Sequence, residues 1–121
     1  MIKTTAIEKT NQGYYKTVEG SDQELSTLFT LLILGSSPDI YIKFLLDNSM
    51  LEFQDEETDL TKKGNMVSIE INDYLFPGHP LFTTTQPNLL SVLKQWKQII
   101  EIKPDKIELV LLDGKLSIKS E

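Results

Sequence analysis

The 121-residue chain has no cysteine, no arginine and a single histidine, His79. The absence of cysteine excludes disulfides and thiolate chemistry. The absence of arginine removes the guanidinium fork that most often reads a phosphate or carboxylate through paired hydrogen bonds. One imidazole is too few for a histidine-based zinc cage and would have to serve any catalytic triad alone. Long apolar runs are also missing. The greasiest stretch, Leu25 to Leu34, is interrupted by Ser26, Thr27 and Thr30 and is about half of the roughly 20 residues that cross a bilayer. Met1 to Asn11 carries Lys3, Glu8 and Lys9 and no continuous apolar segment of the secretory kind. The expected compartment is therefore the cytoplasm, with no membrane partner.

What is present is ordinary globular material: 40% apolar and 25% charged residues in 13.8 kDa, enough for one domain with one core. Lys3 to Lys9 and Tyr14 to Val18 are rich in Thr, Ile, Tyr and Val and are joined by Asn11-Gln12-Gly13, which predicts a hairpin. Ser21 and Glu24 stand at capping-box spacing before Leu25, Leu28, Phe29 and Leu32, the stripe of a helix that Gly35 ends. Ile40 to Leu46 is a short apolar run between Ser36-Ser37-Pro38 and Asp47-Asn48, which reads as a central strand covered on both faces. Met50 to Gln54 and Met66 to Asn72 read as further strands, the second alternating in a way that leaves one wet face. Asp55 to Asn65 between them reads as a polar loop.

Pro77-Gly78 and His79-Pro80 oppose regular structure from Tyr74 to Gln86. Pro87 suits the start of a helix from Asn88 to Glu101 with Leu89, Val92, Leu93, Trp96 and Ile100 on one side. Pro104 ends that helix, and Asp113-Gly114 joins Lys106 to Leu112 with Lys115 to Lys119 in a tight final hairpin. The sum is a single α+β domain over residues 1–121, two main helices packed on a largely antiparallel sheet, with parallel neighbours left open around the crossovers.

Charge is uneven. Residues 49–81 hold 2 lysines and 7 acids, which supplies −5 of the net −6. Glu52, Asp55, Glu56, Glu57 and Asp59 fall within eight residues, with Glu70 and Asp73 expected close by. Such a field attracts a cationic surface and repels nucleic acid; a solvated loop guarding a sheet edge would look the same. The order of the acids fits neither a calcium loop nor a carboxylate pair held at catalytic separation, so no metal or cofactor is expected. The 6 glycines are scattered and form no phosphate loop. Tyr74, Phe76 and Phe82 bracket the proline turns, where rigid rings serve as interface anchors or as core plugs. Trp96 belongs to the core by its place on the helix stripe. The expected partner-binding set is Glu52, Asp55, Glu56, Glu57, Asp59, Glu70, Asp73, Tyr74 and Phe76, with no catalytic residue.

With that acidic middle, and with Asn88-Leu89-Leu90-Ser91-Val92-Leu93-Lys94-Gln95-Trp96 leading into the Pro104-Asp105-Lys106-Ile107-Glu108-Leu109 hairpin, the chain resembles the small immunity proteins of bacterial toxins, those of contact-dependent growth inhibition included. The resemblance implies a non-enzymatic cytoplasmic protein that binds one cognate toxin, such as a basic nuclease, and blocks its active site or substrate surface. Two other readings stand beside it. A subunit or chaperone of a larger assembly would form a homodimer through the Leu25 to Leu34 helix. A small hydrolase or ligand-binding domain would depend on His79 and nearby acids.

Overall fold

Local signals build two hairpins and three helices before any long-range contact is needed. The computed structural model describes residues 2–18, 20, 22–72 and 79–120. Strands β1 (Ile2–Lys9) and β2 (Tyr15–Thr17) form the expected first hairpin, closed where Thr10 N donates to Tyr14 O at 2.7 Å. Helix α1 (Gln23–Leu34) buries Leu25, Leu28, Phe29, Leu31 and Leu32. Its cap is Asp22, whose Oδ1 accepts from Leu25 N at 3.0 Å, rather than the Ser21 of the expected capping box. Ser21 itself lies outside the described residues. At the far end of the chain, β7 (Lys106–Leu112) and β8 (Lys115–Ser120) form the second hairpin. Asp113 and Gly114 take φ of 50° and 81°, the left-handed pair that a two-residue turn requires.

The expected central strand over Ile40 to Leu46 is instead a helix, α2 (Pro38–Leu46). Ser37 caps it, accepting from Asp39 N, Pro38 occupies its first turn and Asp39 complements its dipole. Tyr41, Phe44 and Leu45 are its buried stripe. Ile40 lies on the exposed side of the helix and Ile42 is partly buried against the core, so the two do not form one face of a strand.

The middle of the chain holds more strand than expected. After β3 (Glu52–Gln54), the supposed polar loop contains β4 (Thr58–Lys63), followed by β5 (Met66–Ile71). The segment taken to be irregular contains β6 (Phe82–Thr85), which runs directly into α3 (Gln86–Ile102). Strand β4 escapes a hydrophobic reading because its inward positions are Thr58, Leu60 and Lys62, only one of them apolar.

All strand pairings are antiparallel and fall into two four-stranded sheets, β2-β1-β7-β8 and β3-β4-β5-β6. The first brings the two terminal hairpins together through the β1–β7 pair; the second is a meander of the middle segment. Helix α1 packs on β1, β5 and β6, α3 packs on β8, β5 and β6, and α2 packs on α3. One core results, shared by Ile7, Ile107 and Leu109 of the first sheet and Leu60, Ile69 and Phe82 of the second. Trp96 and Phe29 meet edge to face inside it, with ring centroids 6.4 Å apart. Among the described residues no single helix is long and apolar enough to cross a membrane, and α1 and α2 meet at 112° across the break at residues 35–37.

Candidate functional site

The acids of the middle segment divide into two populations according to strand register. In β4, Thr58, Leu60 and Lys62 point inward, so Asp59, Thr61 and Lys63 lie on the solvent face. Register then places Asp59 directly opposite Glu70 of β5 and opposite Gln54 of β3, with Glu52 one rung away across from Thr61. Glu52, Asp59 and Glu70 therefore share one open face, completed by Ser68 and Thr83, whose hydroxyls are 3.0 Å apart. The turn bearing Glu56 and Glu57 is fixed at the Asp59 end of this sheet. There Asn72 N donates to Glu57 O at 2.8 Å and Asn72 Nδ2 to Glu56 O at 3.1 Å.

Asp55 is different. Its Oδ1 accepts from Glu57 N (3.0 Å), Thr58 N (2.7 Å) and Thr58 Oγ1 (2.9 Å), and its Oδ2 accepts from Ser36 Oγ (2.9 Å) and Tyr41 Oη (3.1 Å). This carboxylate builds the β3–β4 turn and ties it to α2, so its lone pairs are already engaged within the chain. Burial pushes its pKa up, but the hydrogen bonds from Thr58, Ser36 and Glu57 outweigh burial and hold it below the ordinary carboxylate value. Tyr41 is raised above its usual 10.0, foremost by burial, with the Asp55 charge adding to it and the hydrogen bonds to Thr58 and Ser36 opposing it.

The two sheets treat charge differently. On the outer face of the first sheet Glu8 lies between Lys16 and Lys106, and Glu108 lies opposite Lys119 with 3.1 Å between their charged atoms. On the outer face of the second sheet, carboxylate opposes carboxylate. Directly opposed side chains have Cβ atoms about 5 Å apart, and like charges there destabilise the pairing. No ion pair joins Glu52, Asp59 or Glu70 to a lysine among the described residues, and Lys63 lies two rungs away opposite Met66.

Other expected features fall elsewhere. Asp73, Tyr74 and Phe76 lie outside the described residues. Phe82 and Trp96 are core residues. His79 Nε2 sits 3.1 Å from Thr30 Oγ1, on the α1 side of the molecule. Of the Leu25 to Leu34 stretch, Ile33 and Leu34 are the exposed large apolar residues and the rest of the stripe is spent on the core. A groove of about 480 Å³ between α2 and α3 is lined by Asp39, Lys94, Lys97 and Glu101, and its charges offset each other, with Lys97 paired to Asp39. Among the described residues no group of three or more His, Asp or Glu side chains could hold a metal ion.

The neutral members of the open face, Gln54, Thr61, Ser68 and Thr83, are not singled out by sequence reasoning, because they become neighbours only once β4 is recognised as a strand. The molecule is thus an α+β domain with one charge-balanced sheet face and one carboxylate-bearing face. In comparison with known proteins, no family model, curated protein or solved structure matches the chain.

Proposed function

We propose that this chain is a toxin-neutralising protein of the immunity class, which presents the outer face of its second sheet to a basic protein partner. One observation carries the reading: Asp59 and Glu70 oppose each other on an open sheet face, with Glu52 beside them and no lysine paired to any of the three, while the first sheet of the same molecule pairs its acids. Unpaired like charges cost stability, and a cationic surface that covers them gives it back. Glu56 and Glu57 extend the same field at the rim, and Asp55 supports the turn beneath them. The partner is a basic domain such as a nuclease, and inhibition is by coverage, without a cofactor and without catalysis by this chain. The protein acts in the bacterial cytoplasm, where such a toxin reaches its target.

The test is association with the toxin domain encoded beside this gene. Glu52→Gln, Asp59→Asn and Glu70→Gln combined are expected to slow association by about tenfold or more at low salt and to flatten its salt dependence, with the circular dichroism spectrum unchanged. An unchanged rate and salt dependence would sink the assignment of this face. A neighbouring toxin domain that does not bind at all would sink the class.

A further inference from the structure

Lys62 carries its ammonium group into the interior. It lies on the inner face of β4 and is 7% exposed, and it is the one buried lysine among the described residues. Nζ donates to Phe44 O at 2.7 Å and to Asp47 O at 2.8 Å, two carbonyls at the C-terminal end of α2, and it lies 4.5 Å from the centre of the Phe44 ring. The carbonyls and the negative end of the helix dipole offset the charge in part. An ammonium has three donors, and the third has no oxygen or nitrogen partner among the described residues. The Asp47 carboxylate feels this charge but does not supply that partner. Asp47 Oδ1 is held by Ser49 N at 3.0 Å and Ser49 Oγ at 2.6 Å, and no ion pair reaches Lys62.

Lys62 also lines a cavity of about 130 Å³, together with Asn48, Leu51, Gly64 and Gln86. Among the described residues no carboxylate lines it. Gln86 Nε2 is committed to Gly64 O at 2.8 Å, while Asn48 makes no side-chain hydrogen bond among the described residues. Leu51, 61% exposed, forms an apolar wall. A buried cation with a spare donor, beside a cavity walled by amides and one leucine, can take an anion in direct contact.

We propose that this cavity is a binding site for a small carboxylate, with one oxygen accepting from Lys62, the other from the Asn48 amide, and a short aliphatic body lying against Leu51. The volume is that of roughly four waters in the liquid, which suits a carboxylate of a few carbons. One lysine without arginine suits a monoanion better than a phosphate dianion, which draws on several cationic donors. The carboxylate belongs either to a free small acid or to the C-terminus of a protein chain. This site is on the opposite side of β4 from the acidic face and does not depend on it.

The test is a titration of the ¹⁵N-labelled protein with sodium acetate against sodium chloride at matched ionic strength. Saturable shifts are expected at the amides of Asn48, Leu51, Gly64 and Gln86, with a midpoint on the order of 10 mM for acetate and no saturation with chloride. Asn48→Asp plants a carboxylate on the cavity wall, keeps Lys62 in place and is expected to abolish the acetate shifts. Lys62→Met should abolish them too. Equal responses to the two salts, or an Asn48→Asp protein that titrates like the parent, would overturn the site. A second arm compares acetyl-Gly-Ala-Leu as free acid and as amide. Tighter binding of the free acid than of acetate assigns the ligand to a chain terminus, and weaker binding assigns it to a free small acid; binding of the amide as tight as that of the acid overturns carboxylate recognition.

Discussion

The Tyr41 hydroxyl occupies the space that a side chain at Gly35 would need. A Cβ at position 35 would overlap Tyr41 Oη and stand 2.5 Å from Leu31 O. Gly35 has φ of −78°, which any residue adopts, so glycine is demanded here by the approach of the phenol and of the α1 backbone, and not by a special backbone conformation. In return Tyr41 Oη accepts from Ser36 N at 2.7 Å and bridges Asp55 and Thr58, so the bend between α1 and α2 is locked to the turn between β3 and β4.

Gly35→Ala should therefore destabilise the domain by about 2–4 kcal/mol, from overpacking together with loss of part of the Tyr41 hydrogen bonding. Urea denaturation measures it directly. Tyr41→Phe on its own leaves Asp55 Oδ2 and Ser36 N each short of one partner and should cost about 1–3 kcal/mol. Because the two residues meet, the double variant should lose clearly less than the sum of the single losses. Additive losses would mean that the clash is with Leu31 alone.

Asp55 should give the stability curve an acid limb. Its folded pKa is depressed, so its contribution is fully present above the ordinary carboxylate value of about 3.9 and is lost as pH falls through the lower folded value. Asp47 is also held below the ordinary carboxylate value, foremost by its hydrogen bonds from Ser49, so its contribution has the same sign. The difference between parent and Asp55→Asn isolates the Asp55 share. At neutral pH the substitution should cost about 1–3 kcal/mol, and the gap should narrow as pH drops below 4. A gap constant from pH 7 to pH 2 would show that the carboxylate charge plays no part in the turn.

The pieces legible in the sequence are those set by local chemistry. The final hairpin follows from the left-handed pair Asp113-Gly114, α1 from its leucine stripe, and α3 from Pro87 and the stripe from Leu89 to Ile100. Three elements were hidden for separate reasons. The short, bounded apolar run from Ile40 to Leu46 read as a strand where Ser37, Pro38 and Asp39 start a helix. Strand β4 carries polar residues inward because Thr58 and Lys62 find hydrogen-bond partners from α2, which no periodicity reveals. Strand β6 is four residues long and lies in a segment where Pro77, Gly78 and Pro80 argue in sequence against regular structure. The acidic segment was visible as composition, but which carboxylates share a face depended on β4. Asp55 looked like its neighbours in sequence and differs from them through Ser36 and Tyr41, at least 14 residues away.

Trp96, the single tryptophan, reports on the junction of the helices with both sheets. It is 3% exposed and packed edge to face on Phe29. Its emission should be blue-shifted in the folded protein and move to the red on unfolding. Phe29→Ala should cost about 3–5 kcal/mol through the cavity it leaves, with a smaller red shift in the folded state. An emission maximum already that of exposed tryptophan would contradict the placement of α3.

Asp59 and Glu70 allow stability and function to be separated. Opposed carboxylates on neighbouring strands work against the fold, so Asp59→Lys, which turns the pair into an opposite-charge pair like Glu108 and Lys119, should raise stability by about 0.2–1 kcal/mol. Asp59 accepts no hydrogen bond that the substitution would remove, among the described residues. The gain should appear as a higher urea midpoint with an unchanged slope, and added salt should stabilise the parent while leaving the variant nearly flat. The same variant should lose affinity for a basic partner, because it places a cation in the middle of the proposed contact face. Greater stability with weaker binding is the signature of a face kept for its partner, and a destabilised variant would mean that Asp59 is held by the fold itself.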